Sequence, residues 1–223
     1  MLNNFGYQAI IPSYGKDKLD RALCCGRTYI SYGQLDKASK ELNRFNDYII
    51  NNNYFNLPVV GIEPSCLLTF SDEYQKLKNV NNREKIKNKF YLLEEFIFEQ
   101  IKNDNKVKIN KFDQNVLIHG HCHQKSQDRM KGLTNLLSEL KINNKMIESS
   151  CCGMAGSFGY DSKNYEVSKK MANLSLIPAI NNSDEADFII ANGTSCRHQI
   201  SDLSQKKGKH VSELLFKIFE TVN

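Results

Sequence analysis

Four short apolar runs in this chain end on cysteine: "VVGIEPSC" closes on Cys66, "VLIHGHC" on Cys122, "KMIESSCC" on Cys151 and Cys152, and "DFIIANGTSC" on Cys196. The runs are β-rich and alternate with helical stretches, a pattern that predicts parallel strands joined by crossover helices. The expected fold class is therefore α/β. In a parallel open sheet the carboxyl ends of the strands lie along one edge, where ligands and cofactors bind. Sulfurs remote in sequence are then brought to a single rim.

The surroundings of the cysteines nearly repeat. "LCCGRTYISYGQLDKASKEL", holding Cys24 and Cys25, has a counterpart in "SCCGMAGSFGYDSKNYEVSKKM", holding Cys151 and Cys152. A helix-like stretch, an apolar run and Ser-Cys follow each pair, ending at Cys66 and at Cys196. This implies two pseudo-symmetric halves, one over residues 1–101 with its connecting helices and one over 102–223. Apolar residues at 35, 38, 42, 45 and 49, and again at 211, 214, 215, 218 and 222, fall at helical spacing. Residues 67–101 read as helical and join the halves, with polar stretches near 78–88 and 102–114. The repeat also predicts a strand ahead of the first helix, equivalent to "NVLIHG", whereas the chain opens inside a helix as "MLNNFGYQAIIP". It is expected to be a C-terminal piece of something longer.

Adjacent cysteines cannot usefully bond each other, because neighbouring Cα atoms lie about 3.8 Å apart and an ordinary disulfide spans about 4.4–6.8 Å. No secretion signal opens the chain and no run approaches the roughly 18 apolar residues of a membrane span. A cytoplasmic protein is expected, with peripheral attachment at the inner membrane face left open. There, seven cysteines point to metal or redox chemistry before disulfides. The formal charge of +5 is scattered without basic stripes, so nucleic acid is not an expected partner.

Cys122, Cys151, Cys152 and Cys196 supply the four thiolates that an iron–sulfur cluster or a structural zinc takes. Glycine after each pair allows close backbone approach, and a helix beginning there turns N–H groups toward anionic sulfur. Arg27, Lys125 and Arg197 follow cysteines by one to three residues; they either offset cluster charge or simply face solvent. In "HGHCHQ", strand alternation sets His119, His121 and His123 on one face and Cys122 on the other. Each histidine is a candidate ligand or proton relay, with polar packing as the ordinary alternative. "GMAGSFG" does not have the spacing of a dinucleotide fingerprint, so no flavin or nicotinamide site is expected within the chain.

Taken in order, "LCCGRTYISYGQLDKA", "VVGIEPSCLLTFSDEY", "HGHCHQK", "ESSCCGMAGSFGY" and "NGTSCRHQI" resemble the cysteine-rich CCG region of FAD-linked oxidases and of the iron–sulfur subunits of glycolate oxidase and anaerobic glycerol-3-phosphate dehydrogenase. Heterodisulfide reductase is similar in its CCG motifs. The resemblance implies an electron-transfer module serving a flavin domain that oxidises a 2-hydroxy acid such as D-lactate or glycolate, with a quinone or another acceptor downstream. FAD and ferredoxin-like clusters would sit on an upstream domain or partner, and no complete active site on this chain. It implies a cluster, 4Fe–4S before other types, on Cys122, Cys151, Cys152 and Cys196, and a first site at Cys24, Cys25 and Cys66. The fuller pattern ends each half in C-x-x-C, whereas "EPSC" and "GTSC" keep only the last cysteine, which favours a four-thiolate site over a five-thiolate one. Two other readings stay open: a zinc–thiolate protein, and an inactive fragment of a split gene.

Overall fold

The computed structural model of the protein describes residues 2–13, 15, 19–86, 89–103, 108–184 and 187–219. In the first part of the chain the elements are α1 (Arg27–Ser31), α2 (Leu35–Asn51), β1 (Val59–Gly61), α3 (Pro64–Ser71), α4 (Glu73–Lys76), β2 (Phe90–Leu92) and α5 (Leu93–Asn103). They continue with β3 (Val116–His119), α6 (Cys122–Ser126), α7 (Met130–Glu139), β4 (Asn144–Met146), α8 (Tyr165–Asn173), α9 (Leu176–Asn181), β5 (Phe188–Ala191), α10 (Thr194–Leu203) and α11 (Val211–Phe219). The expected α/β class holds.

Two parallel sheets organise these elements. One pairs β1 with β2, and the other has the order β4-β3-β5. All four residues of β3 and of β5 are buried, as required of strands covered on both faces. Side chains alternate between those faces. Val116, Ile118, Phe188 and Ile190 pack with α5, α7 and α11, whereas Leu117, Ile189 and Ala191 pack with α8, α9 and α10. Each fully buried Leu or Ile in these layers contributes about 1.5–3 kcal/mol. The chain leaves β3 through α7 to reach β4 on one side, and later through α8 and α9 to reach β5 on the other. Strand order therefore reverses beside β3, and the crevice at such a reversal is where open α/β sheets bind ligands.

The helical periodicity of α2 is met: Ala38, Leu42 and Ile49 are buried and Phe45 packs beside them. The end of α11 is met as far as Phe219, and position 222 lies outside the described residues. Residues 67–101 differ from the helical expectation, since they contain β2. A three-residue strand is too short to display a period, and "FYL" is a strand because its backbone pairs with β1. The opening residues hold only a single 3-10 turn, Leu2–Phe5, whose Phe5 ring meets Phe219 edge-on at 5.2 Å. α5 packs in one core with β3, α7 and α11, so hydrophobic packing is continuous across residue 101.

Candidate metal centre

The carboxyl ends of the strands do collect sulfur. β1 leads into α3, whose third residue is Cys66, and β3 leads into α6, which begins at Cys122. β4 leads to Cys151 and Cys152, and β5 to α10, whose third residue is Cys196. Cys25, Cys152 and Cys196 are buried, Cys151 is half-buried, and Cys24, Cys66 and Cys122 are exposed.

Within the second set, a ring nitrogen of His119 and the Sγ atoms of Cys152 and Cys196 all lie within 4.8 Å of one another. Cys122 and Cys151 line the same recess. The strand ends at His119, so the alternation expected through His123 stops there. His121 is the residue before α6, and its Nδ1 accepts from the His123 backbone N–H at 3.2 Å. Only His119 is a strand residue, on the Leu117 side of the sheet with Cys152 and Cys196. Its Nδ1 is 2.9 Å from Ser149 Oγ.

The first set comes together as well. Cys25 interacts with Cys24 and with Cys66, and all three line a cavity of about 660 Å³. Cys122, His121 and His123 line that cavity too, so the two sets share one space.

Glu63, which sequence reasoning passed over, joins the halves. It caps α3 by accepting from the Ser65 N–H at 3.3 Å and from Ser65 Oγ at 2.8 Å. Its other oxygen accepts from the Thr194 N–H at 2.9 Å and Thr194 Oγ1 at 3.0 Å, at the start of α10. The signal was legible: an acceptor side chain directly before Pro64 marks a helix start. Glu63 and Gly193 stand where C-x-x-C would place its first cysteine. A Cβ on Gly193 would lie 2.3 Å from His121 Cδ2 and 3.2 Å from Cys196 Sγ, so the imidazole fills the space that a side chain there would need.

The three flanking cations turn out to be internal ties. Lys125 Nζ donates to the carbonyls of Ser149 and Ser150 at 2.5 and 2.7 Å, holding the segment before Cys151. Arg197 donates to the carbonyls of Ala191 and Asn192 at 3.0 and 2.7 Å. Arg27 pairs with Glu73 and meets His123 Nε2 at 3.2 Å.

Crowding and burial raise the pKa of Cys24, Cys25, Cys122, Cys151 and Cys152. Contact with Cys151 pulls the Cys152 pKa down, but contact with Cys196 and burial outweigh it and push it up to about 12. Contact with Cys24 lowers Cys25 while Cys66 and burial carry it up to about 11. Cys151 is raised by contact with Cys152 and then by burial, and Cys122 by burial and the neighbouring Cys151 charge. Contact with Cys25 lowers Cys66. Burial pushes His119 down to about 3 and His121 to about 4, so both imidazoles are neutral at pH 7. Neutral imidazole beside soft sulfurs is a donor set for a soft or borderline metal, and a bound cation is what strips protons from such thiols. The residues fit an iron–sulfur or zinc–thiolate group.

Behind the site lies a buried carboxyl. Glu94 Oε1 accepts from Gln124 Nε2 at 2.8 Å and Asn192 Nδ2 at 2.9 Å, and Asn192 Oδ1 accepts from the Val211 N–H at 3.1 Å. One side chain thus ties α6 to the turn between β5 and α10. Burial raises its pKa from 4.5 to about 7. A raised carboxyl binds its proton more tightly in the folded state, so its stabilising effect is complete below about pH 4.5 and lost as pH rises to about 7. Urea unfolding of metal-free, reduced protein at pH 5 and pH 8 is expected to show wild type losing about 2–3 kcal/mol relative to Glu94→Gln over that interval. A difference that does not change with pH would refute this account of Glu94.

Residues 116–201 match the family model described as the CCG cysteine-rich domain. That segment is similar to a CCG domain. The matched segment includes His119, Cys122, both adjacent cysteines and Cys196. Over a longer span, the chain is 24% identical over 203 residues to a subunit of the anaerobic glycerol-3-phosphate dehydrogenase of Escherichia coli, covering 90% of this chain and 50% of the relative. It is 23% identical over 161 residues to D-2-hydroxyglutarate dehydrogenase of Pseudomonas putida, covering 71% of this chain and 15% of the relative. The D-2-hydroxyglutarate dehydrogenase of Escherichia coli is 20% identical over 224 residues, at 99% and 20% coverage. The chain thus spans about half the length of the first relative and a fifth or less of the other two. These relatives agree with the resemblance drawn from the five motifs. Among the described residues no helix is long and apolar enough to cross a membrane.

Proposed function

We propose that this chain is the iron–sulfur electron-transfer part of a flavin-linked dehydrogenase acting on a 2-hydroxy acid, and that substrate is oxidised on another domain or subunit. The observation that carries the reading is the convergence of Cys152, Cys196, Cys122 and Cys151 on one recess at the strand reversal of the CCG-like segment. A cluster, 4Fe–4S by the number of thiols, would be held by those four cysteines and would supply one-electron transfer when bound. Cys24, Cys25 and Cys66 form a second candidate set facing the same cavity. The N-termini of α3 and α10 present positive dipole ends to Cys66 and Cys196, which favours anionic sulfur at both places.

FAD would reside on the flavoprotein partner, and a quinone is one candidate acceptor. The names of the relatives support a hydroxy-acid or glycerol-phosphate dehydrogenase assembly. Seven cysteines with none paired among the described residues suit a reducing cytoplasm, including its membrane face. The division at residues 101 and 102 belongs to this reading as a division of cysteine sets, since the core packing crosses it.

The test is iron and acid-labile sulfide measured on anaerobically purified protein, with an electron paramagnetic resonance spectrum after reduction. Iron with matching sulfide and a reduced-state signal are expected. One equivalent of zinc without sulfide, or no iron after reconstitution, would overturn the proposal in favour of the zinc–thiolate reading or an inactive piece.

A further inference from the structure

We propose that His119 is itself a ligand, so that the second set is a mixed nitrogen and sulfur site. The inference rests on the metal centre proposed above and extends it beyond cysteine. A ring nitrogen of His119 shares a 4.8 Å neighbourhood with the sulfurs of Cys152 and Cys196. That spacing lets donors with bonds of about 2.0–2.3 Å reach a common metal.

Local structure fixes the ring for this task. His119 is the last residue of β3, at the point where strand order reverses, and it is only 3% exposed. Its Nδ1 is engaged by Ser149 Oγ at 2.9 Å, and Ser149 is held in place by Lys125 through its carbonyl at 2.5 Å. Metal-bound imidazoles characteristically give their second ring N–H to an oxygen, which sets tautomer and orientation. With Nδ1 so occupied, Nε2 is the nitrogen that serves the recess lined by the cysteines.

Of the other two histidines of "HGHCHQ", His121 also lines the recess but lies outside the close group of His119, Cys152 and Cys196. His121 Nδ1 accepts the His123 N–H and its Nε2 lies 3.9 Å from Glu63 Oε1, whereas His123 Nε2 meets Arg27. In this site His119 takes the place that the four-cysteine set gives to exposed Cys122, and a neutral imidazole in place of a thiolate removes one negative charge from the ligand shell, which raises a reduction potential.

The experiment compares protein carrying 15N-histidine with unlabelled protein, each reconstituted with iron and sulfide, reduced, and read by pulsed electron paramagnetic resonance. A strongly coupled nitrogen that shifts with the label is expected in wild type. It should vanish in His119→Cys, which keeps a donor and is expected to retain iron at a lower potential. A reduced signal without histidine nitrogen coupling, or a coupling that survives His119→Cys, would overturn the assignment. Failure to load iron would defeat the electron-transfer reading by itself. The ligand is then read on wild-type protein loaded with zinc, whose X-ray absorption should contain nitrogen at about 2.0–2.1 Å beside sulfur at about 2.3 Å. A sulfur-only shell, or no zinc binding, would end the proposal. Because the spectra are taken on wild type, they remain decisive even where His119→Cys does not fold.

Discussion

Cys152→Ser is expected to lose the metal centre, with bound iron and sulfide at the second set falling at least about tenfold and the reduced-state signal disappearing. Changes one shell further out already cost metal sites about 10–100-fold in affinity, so tenfold is a lower bound for a ligand. Cys152 is buried and interacts with both Cys151 and Cys196, which places it in the middle of the set. A serine hydroxyl there ionises far less readily than a thiol and is a hard oxygen where a soft metal wants sulfur. Cys66→Ser, in the first set, should leave the second set's signal in place. Metal analysis of both variants after reconstitution decides the point. Full iron in Cys152→Ser would show that this sulfur is not a ligand, and loss of the second set's signal in Cys66→Ser would show that the two sets do not load independently.

The second large effect is structural, at the residue after that cysteine. Gly153 has φ +90°, and a Cβ there would lie 2.2 Å from the backbone oxygen of Ser168 and 3.1 Å from Gln199 Nε2. The glycine has no room to yield, because Gln199 Nε2 donates to Cys152 O at 2.9 Å and Ser168 Oγ at 2.9 Å, clamping the turn against α8 and α10. Left-handed backbone costs a residue with a Cβ about 1–2 kcal/mol, and overpacking about 1–3 kcal/mol more. Gly153→Ala is therefore expected to destabilise the chain by about 2–5 kcal/mol, a fall in Tm of about 10 °C for a protein of this length. Gly156 supplies the control, since its φ of +70° is similar but nothing lies within 4 Å of an added Cβ. Gly156→Ala should cost only the backbone share. Equal losses in the two variants would refute the crowding argument.

The parts of this architecture that could be read in advance are those where one residue type decides the outcome. β3 and β5 are buried on both faces, so their apolar runs announced them, and the cysteines that follow stand at the carboxyl ends as parallel pairing requires. β2 could not be read, because three residues carry no period and its pairing with β1 is settled by contacts remote in sequence. His119, His121 and His123 looked equivalent on a strand. The helix that starts at Cys122 separates them, and its first turn depends on His121 acting as a cap, which alternation cannot reveal. Glu94 sits in the segment read as helical over residues 67–101, and nothing in that reading singled it out. Its burial follows from Gln124 and Asn192 converging on it, a tertiary fact.

The carboxylate of Glu63 finishes the opening turn of α3 with its own half's Ser65 and that of α10 with Thr194 from the other. Rotating one half away from its neighbour would strand the Thr194 N–H and hydroxyl without an acceptor, and move Cys66 and Cys196 apart in the same stroke. The spacing of the two thiol groups is thereby held in part by this bridging side chain, beside the Arg27–His123 and Ser71–Gln127 contacts, so if both sets hold metal, charge hopping between them would proceed over a set gap.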